Sequence, residues 1–130
     1  MKRLALAPIL LALACASCAS CPSQPPQHRL VTHVVICWQK HPGAANERQA
    51  LLAAAEPLRA IPGVVSVTAG TMLPSTRPIV DTTWDVAYVI TFVNADAFNA
   101  YQTNPDHVKL RQQVLEPNVR QIKVYDLASP

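Results

Sequence analysis

A histidine and a tyrosine, His107 and Tyr101, are the residues in this sequence whose types and spacing could carry chemistry. His107 shares one face of a predicted helix with Leu110 and Val114, because residues three and seven apart lie on the same side of a helix. An imidazole titrates near pH 6.5 (roughly), so it can accept or donate a proton at neutral pH. His107 is therefore either a core side chain bonded to a backbone carbonyl or a pocket group available for general acid–base work.

Tyr101 lies six residues before His107, on the inward stripe of the preceding predicted helix together with Phe98. Asn104-Pro105 separates the two helices, because proline cannot donate the hydrogen bond that would continue the first one. This break allows the phenol and the imidazole to converge. His33 lies on a predicted central strand and is either a core histidine or a pocket wall beside His107. The predicted pocket residues, besides the candidate catalytic pair, are His33, Phe98 and Leu110.

Metal and cofactor sites are not expected. The four histidines are scattered and show neither an H-x-H nor an H-x-x-x-H spacing, which argues against a zinc site. Cys15, Cys18 and Cys21 have a spacing that can bind iron–sulfur clusters, but they lie in an N-terminal small-residue tract without a nearby fourth ligand. Cys37 lies within a predicted strand and is interpreted as a small buried hydrophobe.

The elements that must position these residues alternate between strands and helices. β-branched and apolar runs predict strands, and runs of good helix formers predict helices. Pro57 is expected to kink the first helix or to start a separate turn. The strands are predicted at 30–38, 64–69, 84–92 and 119–126, and the helices at 44–60, 95–103 and 105 to about 115. This order is a split β-α-β unit, so we predict an α+β fold with a four-stranded antiparallel sheet and the helices on one face.

The predicted strands are apolar on both faces, which has a consequence for assembly. One face packs on the helices, and the other would be left as a bare apolar surface. A domain of about a hundred residues buries only ~60–65% of its unfolded surface, so association would add to its stability. We therefore predict a homodimer through the sheet face.

Several short segments carry a resemblance to a known family. They are His33 within 31–35, the turn at 61–64 followed by Gly70, the strand at 85–92, the segment 97–101, and Pro105-Asp106-His107. In this order they resemble the stress-responsive A/B barrel (Dabb) domain, over residues 30–127. The resemblance implies a ferredoxin-like dimeric α+β barrel. Members of the family include plant stress proteins, bacterial proteins of unknown activity and a few polyketide cyclases, so the fold alone leaves function open.

The cyclase-like members give the tyrosine and histidine a role that their spacing alone does not. In those proteins, a pair with this six-residue spacing polarises a substrate carbonyl and moves a proton, which the resemblance carries to Tyr101 and His107. Val86 departs from the cyclase pattern, because it stands where those members have a further polar residue on the third strand.

The N-terminus is typical of an exported protein. Lys2 and Arg3 precede an apolar run of eleven residues, 4–14, which is too short for a membrane-spanning helix of ~20 residues. Ala12-Leu13-Ala14-Cys15 resembles a bacterial lipobox, and Ala16-Ser17-Cys18 is a second candidate. We predict a lipoprotein-type signal peptide at 1–17 with cleavage before Cys15 or Cys18, a Pro-rich tether at 18–29, and lipid anchoring in the bacterial envelope. Plain secretion and an uncleaved anchor remain the alternatives.

Charge excludes one class of partner. The formal net charge is +3, and Lys2 and Arg3 supply two of these charges. The sequence contains no Lys/Arg run. A nucleic-acid binder would show a clustered basic face, so nucleic acid is not an expected partner. Three hypotheses remain: a non-enzymatic envelope module, a carrier of a small apolar ligand, and a small enzyme that acts on an apolar carbonyl compound through His107 and Tyr101.

Overall fold

The computed structural model describes residues 29–130. The order of its strands and helical segments is the predicted β-α-β-β-α-β, with each helical segment divided into shorter pieces. These elements are β1 (Val31–Gln39), α1 (Ala45–Ala53), α2 (Ala55–Leu58), β2 (Val64–Thr71), β3 (Val86–Phe92), α3 (Ala95–Thr103), α4 (Pro105–Leu110), a π-helical turn (Arg111–Leu115), α5 (Glu116–Asn118) and β4 (Val119–Ala128). The predicted signal peptide, the lipidation candidates Cys15 and Cys18, and the tether up to His28 lie outside the described residues.

The sheet has the strand order β2-β3-β1-β4, and every neighbouring pair is antiparallel. β1 lies in the interior and pairs with both β3 and β4 because its side chains are apolar on both faces. The predicted four-stranded α+β architecture with ferredoxin-like topology is therefore confirmed. None of the described helices is long and apolar enough to cross a membrane.

The two faces of the sheet have different surroundings. On the helical face, alternate residues of β1 and β3 are buried in the core, including Cys37, Ile90 and Phe92. On the opposite face, which we call the open face, side chains are half-buried or exposed, apart from Trp38, which is buried. The strand register assigns the following half-buried or exposed apolar side chains to it: Val34, Ile36, Ala87, Val89, Tyr125 and Leu127.

The first helical segment is divided where proline requires it. Pro57 cannot donate a hydrogen bond to the carbonyl of Ala53, and α1 ends at Ala53 while α2 begins at Ala55. The separate final turn predicted around Pro57 is therefore present. Leu51 and Leu58 are both buried, so the apolar stripe continues across the break.

The third strand begins later than predicted, at Val86 instead of residue 84. The preceding residues belong to the long connection 72–85, and polar contacts hold its end against β1. The indole Nε1 of Trp38 donates to Oγ1 of Thr83 at 3.1 Å, and the amide of Gln39 donates to Oδ2 of Asp85 at 2.8 Å. The end of β1 therefore holds the connection in place by side-chain hydrogen bonds, whereas residues 84 and 85 were predicted to pair as part of β3.

Candidate functional site

Two capping asparagines position the candidate tyrosine and histidine. The Oδ1 atom of Asn94 accepts from the amide of Ala97 at 2.8 Å and so begins α3, which carries Tyr101. Oδ1 of Asn104 accepts from the amides of Asp106 at 2.9 Å and His107 at 3.4 Å, and so begins α4. The chain is extended at Asn104, with ψ of 130°, which bends it between the two helices.

This bend brings Tyr101 and His107 into direct contact. Their rings are stacked, with centroids 4.1 Å apart and an interplanar angle of 26°. Tyr101 is buried, and Nδ1 of His107 is a buried atom without a hydrogen-bond partner among residues 29–130. Burial without a hydrogen bond is costly, which makes this imidazole nitrogen a candidate contact for a bound ligand.

His33 approaches the same two rings from the sheet. It is buried on the helical face of β1, and its ring centroid lies 6.1 Å from that of Tyr101. Its Nδ1 atom lies 2.6 Å from Oδ1 of Asp126, the residue directly opposite on β4. Because a carboxylate only accepts hydrogen bonds, this contact assigns the proton to Nδ1 and leaves Nε2 of a neutral His33 as an acceptor.

A narrow cavity lies between the helices and the sheet at this point. Its lining is mainly apolar and includes four aromatic side chains that carry a polar group. The lining residues are His33, Val35, Leu58, Tyr88, Ile90, Tyr101, His107, Leu110 and Leu115. The space between the surrounding atoms, including the mouth, is about 300 Å³, but the centre of a water molecule can reach only about 30 Å³ of it. The smaller volume limits what the cavity can hold, which is a water molecule or a group of a few atoms.

The π-helical turn changes which residue reaches this cavity. An uninterrupted α-helix would bring Val114 to the face of His107 and Leu110, as the sequence spacing predicted. The π turn adds one residue to that turn, so Leu115 lines the cavity, while Val114 faces a groove on the outside of the helices.

The burial of both rings shifts the pKa of His107 and the pKa of Tyr101 in opposite directions. Burial lowers the pKa of His107 below its ordinary value of 6.5, while the nearby carbonyls of Gln102 and Tyr101 oppose this shift without meeting hydrogen-bond geometry at Nδ1. Burial also raises the pKa of Tyr101 well above 10. At neutral pH, the pair is therefore an uncharged imidazole beside a protonated phenol.

The lowered pKa of His107 predicts how stability depends on pH. The unfolded chain binds the His107 proton more readily than the folded chain. The contribution of His107 to the free energy of unfolding is therefore fully present above about pH 6.5 and is lost as the pH drops below it. His107→Gln should flatten the curve measured by urea unfolding between about pH 7.5 and 5.5. The pKa of Glu47 is also lowered, by a hydrogen bond from His41, but from 4.5, so its contribution lies below this range. Parallel curves for parent and variant would contradict the assignment.

The contact between His33 and Asp126 predicts a measurable loss of stability. Asp126→Ala leaves the buried Nδ1 of His33 unpaired and should cost about 1–3 kcal/mol in urea unfolding. Asp126→Asn keeps an acceptor oxygen and should cost less. In a His33→Leu background the Asp126→Ala change should cost almost nothing, because its partner is already absent. An equal cost in both backgrounds would show that the two side chains do not interact.

The structure brings most of the sequence-derived residues together. His33, Leu110, Tyr101 and His107 all line the cavity, whereas Phe98 lies behind His33, with ring centroids 5.5 Å apart, and is not part of the lining. Cys37 is fully buried, and burial raises the pKa of its thiol to about 12. In residues 29–130, no three His, Cys, Asp or Glu side chains are grouped closely enough to bind a metal ion.

Sequence reasoning did not select Asp126 or Tyr88. Asp126 could have been found from the strand pattern, since it is the acidic residue that falls opposite His33 when the first and last strands pair antiparallel. Tyr88 lines the cavity, but its hydroxyl donates to the carbonyl of Leu51. This hydrogen bond uses the Tyr88 phenol to hold α1 on the sheet.

Known structures share this fold. A Dabb family protein with a ferredoxin-like fold from Mesorhizobium loti is 25% identical, with a TM-score of 0.62 over 76% of this chain and 95% of that chain. The hydroxynitrile lyase of Passiflora edulis is 19% identical, with a TM-score of 0.68 over 79% of this chain and 95% of that chain. A dimeric ferredoxin-like protein of unknown function from Thermobifida fusca is 21% identical, with a TM-score of 0.65 over 78% of this chain and 92% of that chain.

Sequence comparison gives two further results. No curated protein matches the chain by sequence. The model of the stress-responsive A/B barrel domain matches residues 31–129, which span all four strands and every helix described above. The chain therefore belongs to the stress-responsive A/B barrel (Dabb) domain family.

Proposed function

We propose that this domain is a binding module for a small apolar carbonyl compound, held in the cavity beside Tyr101 and His107. The observation that carries the proposal is the buried Nδ1 of His107, which has no partner within residues 29–130 and belongs to a ring stacked on a cavity-lining phenol. An apolar cavity with a few convergent polar groups is the usual form of a small-molecule site.

The protonation states favour a neutral carbonyl ligand over a charged one. The raised pKa of Tyr101 keeps its phenol protonated, so it can donate to a carbonyl oxygen. The lowered pKa of His107 keeps the imidazole uncharged, so it offers no counter-ion to a carboxylate. The remaining walls are mainly aliphatic side chains, which suit the apolar part of such a molecule.

Proton transfer on the bound carbonyl compound is the second candidate function. Its specific support is that an uncharged imidazole and a protonated phenol lie side by side, a combination that can remove a proton next to a carbonyl and stabilise the resulting oxyanion. A hydroxynitrile lyase, an enzyme by its name, shares the fold. In this mechanism His107 is the general base and Tyr101 the hydrogen-bond donor.

Ligand titration with two matched variants tests the binding proposal. Small methyl ketones such as 2-butanone should bind the parent, as measured by saturation-transfer NMR. Tyr101→Phe and His107→Gln should each weaken binding by about 3–10-fold, the value of one lost hydrogen bond. His41→Gln serves as the control, because the side chain of His41 is mostly exposed and pairs with Glu47 away from the cavity. Ketone binding unaffected by Tyr101→Phe and His107→Gln would refute the site.

Exchange with solvent deuterium distinguishes binding from turnover. If His107 acts as a base, the parent should accelerate deuterium incorporation next to the ketone carbonyl. His107→Gln should abolish that acceleration while it leaves measurable binding. Equal exchange rates with and without the protein would leave binding as the function and exclude proton transfer on this substrate class.

We further propose that the protein is a homodimer through its open face and is anchored in the bacterial envelope by lipid on Cys15 or Cys18. Three solved structures of this fold are of dimeric proteins, and the open face carries half-buried and exposed apolar side chains from β1, β3 and β4. Mass spectrometry of the native protein should find acyl groups on one of the two cysteines. A free, unmodified N-terminus at Ser17 would end the lipidation proposal and point to plain secretion.

A further inference from the structure

A groove on the outside of the helices adjoins the cavity. This outer groove runs between α2 and the α4–π segment, and its lining consists of Pro57, Ala60, Asp106, Lys109, Leu110, Gln113 and Val114. The centre of a water molecule can reach about 450 Å³ of it, against about 30 Å³ in the cavity. Leu110 lines both spaces, so one side chain is their common wall.

The difference in volume restricts what the cavity can bind. A carbonyl group and its nearest carbons fill the cavity, and any larger ligand must extend beyond it. The outer groove is the adjoining space that Leu110 separates from the cavity. A longer ligand with its carbonyl beside Tyr101 and His107 would have to pass Leu110, the lining residue that the two spaces share, to enter this groove.

The walls of the outer groove indicate the chemistry of that extension. Proline, alanine, leucine and valine side chains supply apolar surface in its lining. Its charged residues are one acidic and one basic side chain, Asp106 and Lys109, both exposed. Because these charges oppose each other, the groove offers no net attraction to an anion or a cation, and a neutral aliphatic chain suits it best.

We propose that the outer groove binds the unbranched aliphatic tail of a ligand whose carbonyl head occupies the cavity, and that Leu110 contacts the chain where it passes from one space to the other. This inference rests on the proposed carbonyl-binding function and names its ligand class as neutral, medium-chain aliphatic carbonyl compounds. Gln113 lies along the groove, whereas the neighbouring Gln112 does not. Both glutamines are exposed, so the pair provides a matched test.

The experiment is a titration of the purified full chain with a series of methyl ketones from 2-butanone to 2-decanone. In the parent, affinity should rise by about fourfold for each added methylene, because each one becomes buried in the groove. Gln113→Trp should fill the groove and remove this gain, while it leaves the affinity for 2-butanone unchanged. Gln112→Trp should behave like the parent. Leu110→Ala should weaken 2-decanone binding more than 2-butanone binding.

The outcomes separate this inference from the function on which it rests. If 2-butanone binds but affinity does not rise with chain length, the groove is not a tail site and the carbonyl site stands. A chain-length gain that persists in Gln113→Trp also rules out the groove as the tail site. If no ketone binds the parent, both proposals fail. Thermal unfolding should show that both tryptophan variants are folded, because Gln112 and Gln113 are exposed.

Discussion

Replacement of Gly63 by alanine is expected to lower the free energy of unfolding by about 2–4 kcal/mol. Gly63 lies in the turn before β2 and has φ of +85°, a conformation that costs an alanine about 1–2 kcal/mol. An added Cβ would also lie 2.4 Å from Cβ of Ala97, on the first turn of α3. That distance is far below van der Waals contact, so α3 or the turn must move. Thermal unfolding should show a midpoint lowered by at least about 10 °C.

Gly43 provides the matched control for Gly63. Its φ is +82°, but an added Cβ would meet no atom within 4 Å. Gly43→Ala should therefore cost only the conformational part, about 1–2 kcal/mol. Ala97→Gly should recover the steric part of the Gly63→Ala loss, with a coupling energy of about 1–3 kcal/mol. Equal losses for the two glycine variants would show that the contact with Ala97 carries no energy.

The Val89→Asp substitution is expected to convert the proposed dimer to a monomer, and this is the other large effect that we predict. Val89 lies on β3 in the open face, opposite Val34 of β1, and is 39% exposed in the single chain. In a dimer sealed by the open face, an aspartate there would be a buried charge without a partner, at a cost of about 3–5 kcal/mol. The dimer dissociation constant should rise by at least about a hundredfold, as measured by sedimentation of residues 29–130.

The same aspartate should be tolerated by the single chain, since position 89 is partly open to solvent and its side chain points away from the core. Ala53→Asp is the control, because Ala53 is exposed at the end of α1, on the helical side of the fold. This variant should remain dimeric. A parent that sediments as a monomer at micromolar concentration would rule out the dimer, as would a Val89→Asp variant with unchanged association.

The architecture could be predicted from sequence because its signals are local. The β-branched runs and the helix-forming segments alternate in an order compatible with few folds. Asn94 and Asn104-Pro105 mark helix starts by their own hydrogen-bonding chemistry, and both caps are present. Element ends were less predictable. The β3 strand starts two residues later than predicted, because the carboxylate of Asp85 accepts a hydrogen bond from the amide of Gln39 at the end of β1. This contact joins residues that are distant in sequence.

The candidate site was only partly readable from the sequence. The spacing of Tyr101 and His107 allowed contact but did not require it, because the angle at Asn104 determines whether the rings meet. The π-helical turn that brings Leu115 to the cavity has no signal in the residue pattern, since it arises from how the helix fits the sheet. The pairing of His33 with Asp126 depends on the register between the first and last strands.

Residue types and their periodicity thus determined by themselves the split β-α-β order, the apolar character of both sheet faces and the histidines and tyrosine that could carry chemistry. Tertiary structure alone decided that Tyr101 and His107 stack, that Asp126 orients His33 and that the cavity is narrow. The physical reason is the range of the forces. Helix and strand preferences act over a few residues, whereas stacking, burial and pKa shifts depend on side chains that only the folded chain brings within a few ångströms.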